Sequence, residues 1–436
     1  MLSAAARAQS PSPAAINTPP SESRPPCSDG KAYCLPPEKL PKAQALGHIR
    51  TGIEFGSQLW SIAVLLLLLT SGAARRVAVF VERKTARRPL QALLFSASIA
   101  AILFLIAQLP VAAIAHAASL RYGISVQAWP SWLLDECKGL ILTILLEAPL
   151  LTLLYALMRW PWSRRLYWFW AAVFTIPLII LGVFLLPALI EPLFDKFEPL
   201  TQSHPALVAQ LQRVVARTGT QIPPSRMFLM KASEKSNGLN AYVTGIGASK
   251  RIVVWDTTAD RMPQDEILFT FAHESGHYVL NHIPKGLALG SILLFPFFFL
   301  VSWLSNHLNL RWGSAWNTAD IANPPAAANL TGLAVFLLAF TILQFVTEPI
   351  PNTISRHFEH EADVYGQEAI HGIVPNPQQT AVAAFSDLGE AYLDDPDPSP
   401  IFEFWTYDHP SIQTRATFAA RYNPWTSRGQ PKFFPR

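Results

Sequence analysis

Cysteine and charge are both scarce in this sequence. Three of the 436 residues are cysteine (Cys27, Cys34 and Cys137), and their spacing matches no cysteine-based metal site. Three thiols cannot all pair within one chain, so a disulfide framework is excluded as the basis of the fold. Cys27 and Cys34 close a short loop if the N-terminus lies in an oxidising compartment, and are free thiols otherwise. Charged residues make up 15% of the chain and the net charge is only +4. The basic residues sit beside apolar segments, as membrane loops do, which argues against a nucleic-acid partner. Residues 1–36 are poor in aromatics and rich in Pro, Ser and Ala, and are expected to be disordered. The stretch Ala4–Gln9 has the small-residue look of a signal-peptide tail but lacks the apolar core that precedes one.

Apolar sequence, by contrast, is abundant: half of the residues are hydrophobic, and they are gathered into long charge-poor runs. Six spans are read at Phe55–Ala74, Pro89–Leu120 (interrupted near Pro110), Gly139–Met158, Tyr167–Ile190, Gly286–Leu304 and Leu330–Thr347. A run of about 20 residues suffices to cross a hydrocarbon core of about 30 Å. Glu147 lies inside the third span; it is expected to face the bundle interior or a wet cavity, or to hydrogen-bond between packed helices. Arg75, Arg76, Arg83, Lys84, Arg87 and Arg88 fill the first inter-span loop, and Arg159, Arg164 and Arg165 the third. The positive-inside rule puts both loops in the cytoplasm and, by parity, the N-terminus and the polar segments 191–284 and 351–436 outside.

The expected fold is therefore mainly α, a polytopic transmembrane bundle of about six spans with an α/β soluble unit. Residues 37–190 form an N-terminal domain of four spans. Residues 191–436 form a second domain, interrupted by a two-helix membrane hairpin at about 286–347. In it, His204–Thr218 has helical periodicity, while Met227–Met230, Ala241–Thr244 and Arg251–Trp255 read as strands.

The segment Phe271-Ala-His-Glu-Ser-Gly-His277 contains His-Glu-x-x-His. On a helix, His273 and His277 share a face and can offer two imidazoles to one zinc ion, while Glu274 reaches a zinc-activated water as general base. Pro263, Asp265 and Glu266 suit the start of such a helix, and Ile267, Leu268 and Phe271 give it an apolar side. A catalytic zinc takes three protein ligands and keeps one place for water. Glu359 and Asp363, spaced i, i+4 in Ser355-Arg-His-Phe-Glu-His-Glu-Ala-Asp363, supply the third. One of the two binds metal while the other accepts a hydrogen bond from a ligating histidine. Helix geometry turns His360 and Glu361 away from Glu359. His282 is too far round to share the ion, and lines the site or meets a local hydrogen bond.

These motifs resemble the type I CAAX prenyl protease family of polytopic zinc metalloproteases, over about residues 35–417. Glu191-Pro-Leu-Phe-Asp-Lys-Phe-Glu-Pro-Leu200 looks like the family segment leading from a span into the catalytic domain. Asn240-Ala-Tyr-Val-Thr-Gly245 and Lys250–Thr257 are similar to its substrate-side strands. The resemblance implies zinc binding by Glu359, substrate binding along Asn240, Ala241 and Tyr242, and catalytic roles near the zinc for His409 and Arg415 of His409-Pro-Ser-Ile-Gln-Thr-Arg415. Without it, the last two read as a structural cap and 240–244 as an ordinary paired strand. The family has seven spans, and the first of the six here aligns with the family's second. Eukaryotic members face the cytoplasm with their catalytic side, opposite to the charge rule here.

The expected activity is a gluzincin-like zinc metalloendopeptidase with one zinc per chain, acting on a peptide or protein substrate at the bilayer, with or without a lipid on that substrate. A quality-control membrane protease without prenyl dependence and an inactive scaffold relative are the alternatives.

Overall fold

The computed structural model describes residue 27 and residues 30–434, except 161, 164, 246–249, 319–329 and 427–428. The signal-like stretch and Arg164 lie outside the described residues. The apolar runs become helices longer than the runs themselves. α1 (Leu40–Thr70) begins well before Phe55, and a short amphipathic α2 (Ala73–Lys84) carries the first basic loop. α3 (Arg88–Leu103) continues through a π-helical turn, Phe104–Gln108, into α4 (Leu109–Arg121). Pro110 has no N–H to give the Ile106 carbonyl, which loosens the ladder there. Trp60 of α1 donates its indole N–H to that carbonyl at 2.9 Å instead, tying the two spans. α5 (Trp129–Arg159) and α6 (Tyr167–Leu189) complete four spans.

After α6 the chain leaves the apolar bundle. α7 (Glu191–Phe194), β1 (Phe197–Pro199), α8 (Leu200–Ser203), α9 (Pro205–Thr218), β2 (Met227–Met230), β3 (Ala241–Thr244), β4 (Arg251–Trp255) and α10 (Asp256–Arg261) lead to α11 (Gln264–Val279). The four strands form one sheet in the order β1-β2-β4-β3. β2 and β4 run parallel, with Met227 opposite Ile252; β3 pairs antiparallel to β4, with Ala241 opposite Val254. β3 is thus an edge strand, and it lies along α11.

The hairpin follows. α12 (His282–Trp312) is a fifth span. α13 (Gly332–Thr347) has 16 residues, about 24 Å at the usual rise, and makes a sixth only together with α14 (Pro349–Ala369), from which it is bent by 42°. Proline at 349 and 351 marks that bend. α15 (Pro377–Tyr392), α16 (Pro400–Thr406) and α17 (Ile412–Arg421) end the fold. One apolar core, with Leu211, Ile252, Phe269, Phe271 and Phe385, joins α9, α11, α15 and the sheet; two others lie in the bundle.

One expectation is corrected. Residues 30–36 belong to the folded body: Tyr33 is fully buried, its hydroxyl donates to the Asp394 carbonyl at 2.9 Å, and Cys27 and Cys34 are disulfide-bonded. A compositional reading missed this because one buried aromatic carries it. Glu147 is exposed on α5.

Candidate active site

Two helices meet at the site. α11 buries Ile267, Leu268, Phe269, Phe271 and Ala272, which fixes its rotation and turns His273 and His277 toward α14. Glycines set how near the axes come. A Cβ on Gly366 of α14 would sit 2.9 Å from the His273 backbone nitrogen and 3.0 Å from its Cα; one on Gly276 would sit 3.1 Å from the Tyr365 ring. Only the bare backbone of Gly366 tolerates this approach.

The result is a cluster of three donors. His273 Nε2 lies 3.2 Å from Glu359 Oε2, His277 Nε2 lies 3.4 Å from Glu359 Oε1, and the two ring nitrogens are 3.2 Å apart. His273 and Glu359 are buried, and one ligand atom from each of the three residues lies within 4.8 Å of the others. Glu359 Oε2 is buried without a hydrogen-bond partner. Two imidazole Nε2 atoms set against the two oxygens of one buried carboxylate are what a cation held by two histidines and one carboxylate requires. The donor set therefore fits zinc. Behind it, Asp363 Oδ1 lies 2.9 Å from His273 Nδ1, on the far side of the ring from Glu359.

Arg415 pairs with Asp363 beside the donor cluster. Its Nε donates to Asp363 Oδ2 at 3.0 Å and a terminal nitrogen donates to Oδ1 at 2.6 Å, while Glu359 is 3.6 Å away. The guanidinium is buried over the Phe385 ring and is committed to Asp363. His409 is half exposed; its Nε2 is 3.2 Å from Glu359 Oε1 and its Nδ1 is 2.8 Å from Asp408. Of the substrate-side residues, Asn240 is exposed but its backbone is held by Thr258 and Trp255, Ala241 is buried, and the Tyr242 hydroxyl donates to Glu191 at 3.0 Å. The outer edge of β3 has no partner strand among the described residues.

Charge at the site follows these contacts. Burial opposes a charged imidazole, yet hydrogen bonds to Asp363 and Glu359 raise His273 to about 9. His277 is lowered to about 3, by burial first and then by the charge on His273. Burial pushes the Glu274 carboxyl above its usual range. His409 rises to about 9 because Asp408 and Glu359 outweigh its burial.

Two further residues adjoin the site: His282, expected to line it or meet a local hydrogen bond, and Glu361, expected to turn away from Glu359. His282, at the start of α12, touches His277, and Glu361 touches His282. Asn281, in a left-handed conformation between the helices, turns His282 back toward the site. No spacing rule signals such a turn.

Comparison with known proteins completes the description. The family model described as "Peptidase family M48" matches residues 199–422, and that described as "CAAX prenyl protease N-terminal, five membrane helices" matches residues 23–196. The "Uncharacterized metalloprotease YhfN" of Bacillus subtilis is 30% identical over 392 residues, covering 89% of this chain and 87% of that one. "CAAX prenyl protease 1" of Saccharomyces cerevisiae is 26% identical over 307 residues, covering 68% and 65%. The crystal structure of S. mikatae Ste24p superimposes with a TM-score of 0.71 at 23% identity, over 88% of this chain and 90% of that one, which shows a shared fold.

Proposed function

The chain belongs to peptidase family M48 and is a multi-pass membrane metalloendopeptidase; on that premise we propose that it hydrolyses peptide bonds with one zinc ion held by His273, His277 and Glu359. The observation that carries this reading is the convergence of both imidazole Nε2 atoms on the two oxygens of Glu359, at 3.2 and 3.4 Å. When bound, zinc supplies Lewis acidity toward the scissile carbonyl and makes water in the site a neutral-pH nucleophile. Glu274 takes the proton of the attacking water and returns it to the leaving amine; its raised affinity for protons suits both steps. His409, half exposed and held protonated, offers positive charge to the developing oxyanion. Arg415 acts through Asp363 as a positioning residue. An extended peptide adds to the free edge of β3, held by main-chain hydrogen bonds. In support, α11 runs alongside that strand. A complete donor set with its general base leaves the inactive-scaffold reading without support.

Peptide cleavage that a chelator stops, that zinc restores, and that Glu274→Ala abolishes while still binding zinc is the expected result. Cleavage that survives full metal removal would end this reading.

Relatives named CAAX prenyl protease 1 support a prenylated C-terminal substrate. The Cys27–Cys34 disulfide favours a second reading. It joins the basic inter-span loops in supporting an extracytoplasmic catalytic face, where damaged membrane proteins without a lipid are the substrate. Comparing cleavage of one peptide with and without its prenyl group separates the two: equal rates remove the prenyl requirement and leave the peptidase.

A further inference from the structure

His273 is oriented by Asp363 and Arg415, a carboxylate backed by a cation. His277 is served differently. Its Nδ1 lies 3.2 Å from Nδ1 of His282, whose Nε2 lies 3.3 Å from Glu361 Oε2. Lys432 donates from Nζ to Glu361 Oε1 at 3.0 Å. The His282 ring is buried and stacked on Phe358, with centroids 4.6 Å apart and planes 10° apart, so it cannot swing away. Lys432 is itself anchored. Its backbone N–H donates to the buried Glu368 carboxylate at 2.6 Å, and that of Phe433 donates to the same carboxylate at 2.7 Å.

For a neutral His282, donor and acceptor roles along this line have one consistent solution. A carboxylate only accepts, so His282 carries its proton on Nε2 and gives it to Glu361. Its Nδ1 is then a lone pair, which can only accept from His277 Nδ1–H. That leaves the lone pair of His277 on Nε2, the atom that faces Glu359 and His273. The alternative tautomer of His282 would set its bare Nε2 against the Glu361 carboxylate, two acceptors with no proton between them.

We propose that His282 and Glu361 are positioning residues for the second metal-binding histidine, and that the C-terminal tail completes the relay through Lys432. The inference rests on the zinc reading of the site and names which of this chain's residues tune its affinity. It also gives residues 432–434 a task beyond covering the core: they hold the cation that keeps Glu361 in place.

The test is zinc affinity of the full-length, detergent-solubilised chain, stripped of metal and titrated against a chromophoric chelator, with folding followed by thermal melting. His282→Ala is expected to weaken binding about 10- to 100-fold, the usual effect of losing a residue that orients a ligand. His282→Gln recovers most of it, since its amide oxygen can accept from His277 and its amide N–H can donate to Glu361. Glu361→Ala, at a less buried position, carries the same test if His282→Ala does not fold, and weakens binding about tenfold. Lys432→Ala costs less than either. A His282→Ala or Glu361→Ala chain that folds and binds zinc as tightly as the unmodified protein overturns the relay while leaving the metal site intact. Zinc uptake left unchanged by His273→Ala overturns the site and the relay together.

Discussion

Gly366→Ala isolates the closeness of α11 and α14 from every group that does chemistry. The added methyl would lie 2.9 Å from the His273 nitrogen, 3.0 Å from its Cα and 3.2 Å from its Cβ. Ordinary contact begins at 3.4 Å, so the shortfall is 3.4 − 2.9 = 0.5 Å, and it falls on backbone that has no rotamer to change. Two terms set the stability effect. Alanine gains about 1 kcal/mol over glycine inside a helix, while overpacking costs about 1–3 kcal/mol. The net loss is about 0–2 kcal/mol, so the protein stays folded. The site suffers more. Glu359 lies less than two turns before Gly366 on the same helix, and forcing the helices apart moves it from both histidines. Misplacement by about 1 Å costs about 100-fold, so half that distance predicts about a tenfold fall in kcat/KM, with weaker zinc retention. Gly139→Ala in α5, where nothing lies within 4 Å of the added methyl, is the control and should change neither quantity. The assay pairs peptide cleavage with metal content after gel filtration. If Gly366→Ala keeps kcat/KM and zinc content within about twofold of the unmodified protein, the glycine contact does not set the site.

Asp363→Asn keeps the shape but lets the amide present an N–H to His273, and a 10- to 100-fold loss of zinc affinity is expected in a chelator competition. Asp394 has its pKa raised to about 6 by burial, against the pull of Arg50 at 3.2 Å. A raised acid binds its proton more tightly folded than unfolded, so its stabilising contribution is present at about pH 4 and is lost as pH rises through about 6. Asp394→Asn should flatten the melting temperature between those values, and an unchanged slope would count against the assignment. A reporter fused after Arg436 should be active only as an extracytoplasmic fusion; activity in the cytoplasm would reverse the proposed topology.

What could be read from the sequence depended on local regularity. His273 and His277 were recoverable because i, i+4 spacing is a property of any helix. Glu359 and Asp363 could be read as a pair for the same reason, but only the folded contact, Asp363 on His273 Nδ1, tells the two apart. The strands at 227–230, 241–244 and 251–255 announced themselves by β-branched and apolar residues between turn formers. Long-range closures were not legible. Arg415 reaches Asp363 across the fold, and nothing near either residue encodes it. The N-terminal strap was hidden by its composition: Lys31, Tyr33, Lys39 and Arg50 bind Asp397, Asp394, Glu390 and Asp394 in turn, all near the other end of the chain. The shortness of α13 and its bend into α14 escaped notice because hydropathy measures neither length in a bundle nor direction.

The hairpin of α12 and α13 separates the paired histidines from Glu359, and that order has a consequence during synthesis. From His277 to Glu359 the ribosome must add 359 − 277 = 82 residues, roughly 4–16 s at about 5–20 residues per second. Arg415 comes 415 − 359 = 56 residues later, roughly another 3–11 s at the same pace. Until Glu359 is made, the growing chain holds two imidazoles without the carboxylate that faces them. The donor set is thus incomplete while the first five spans are made, and closes only with α14, the second half of the bent last one.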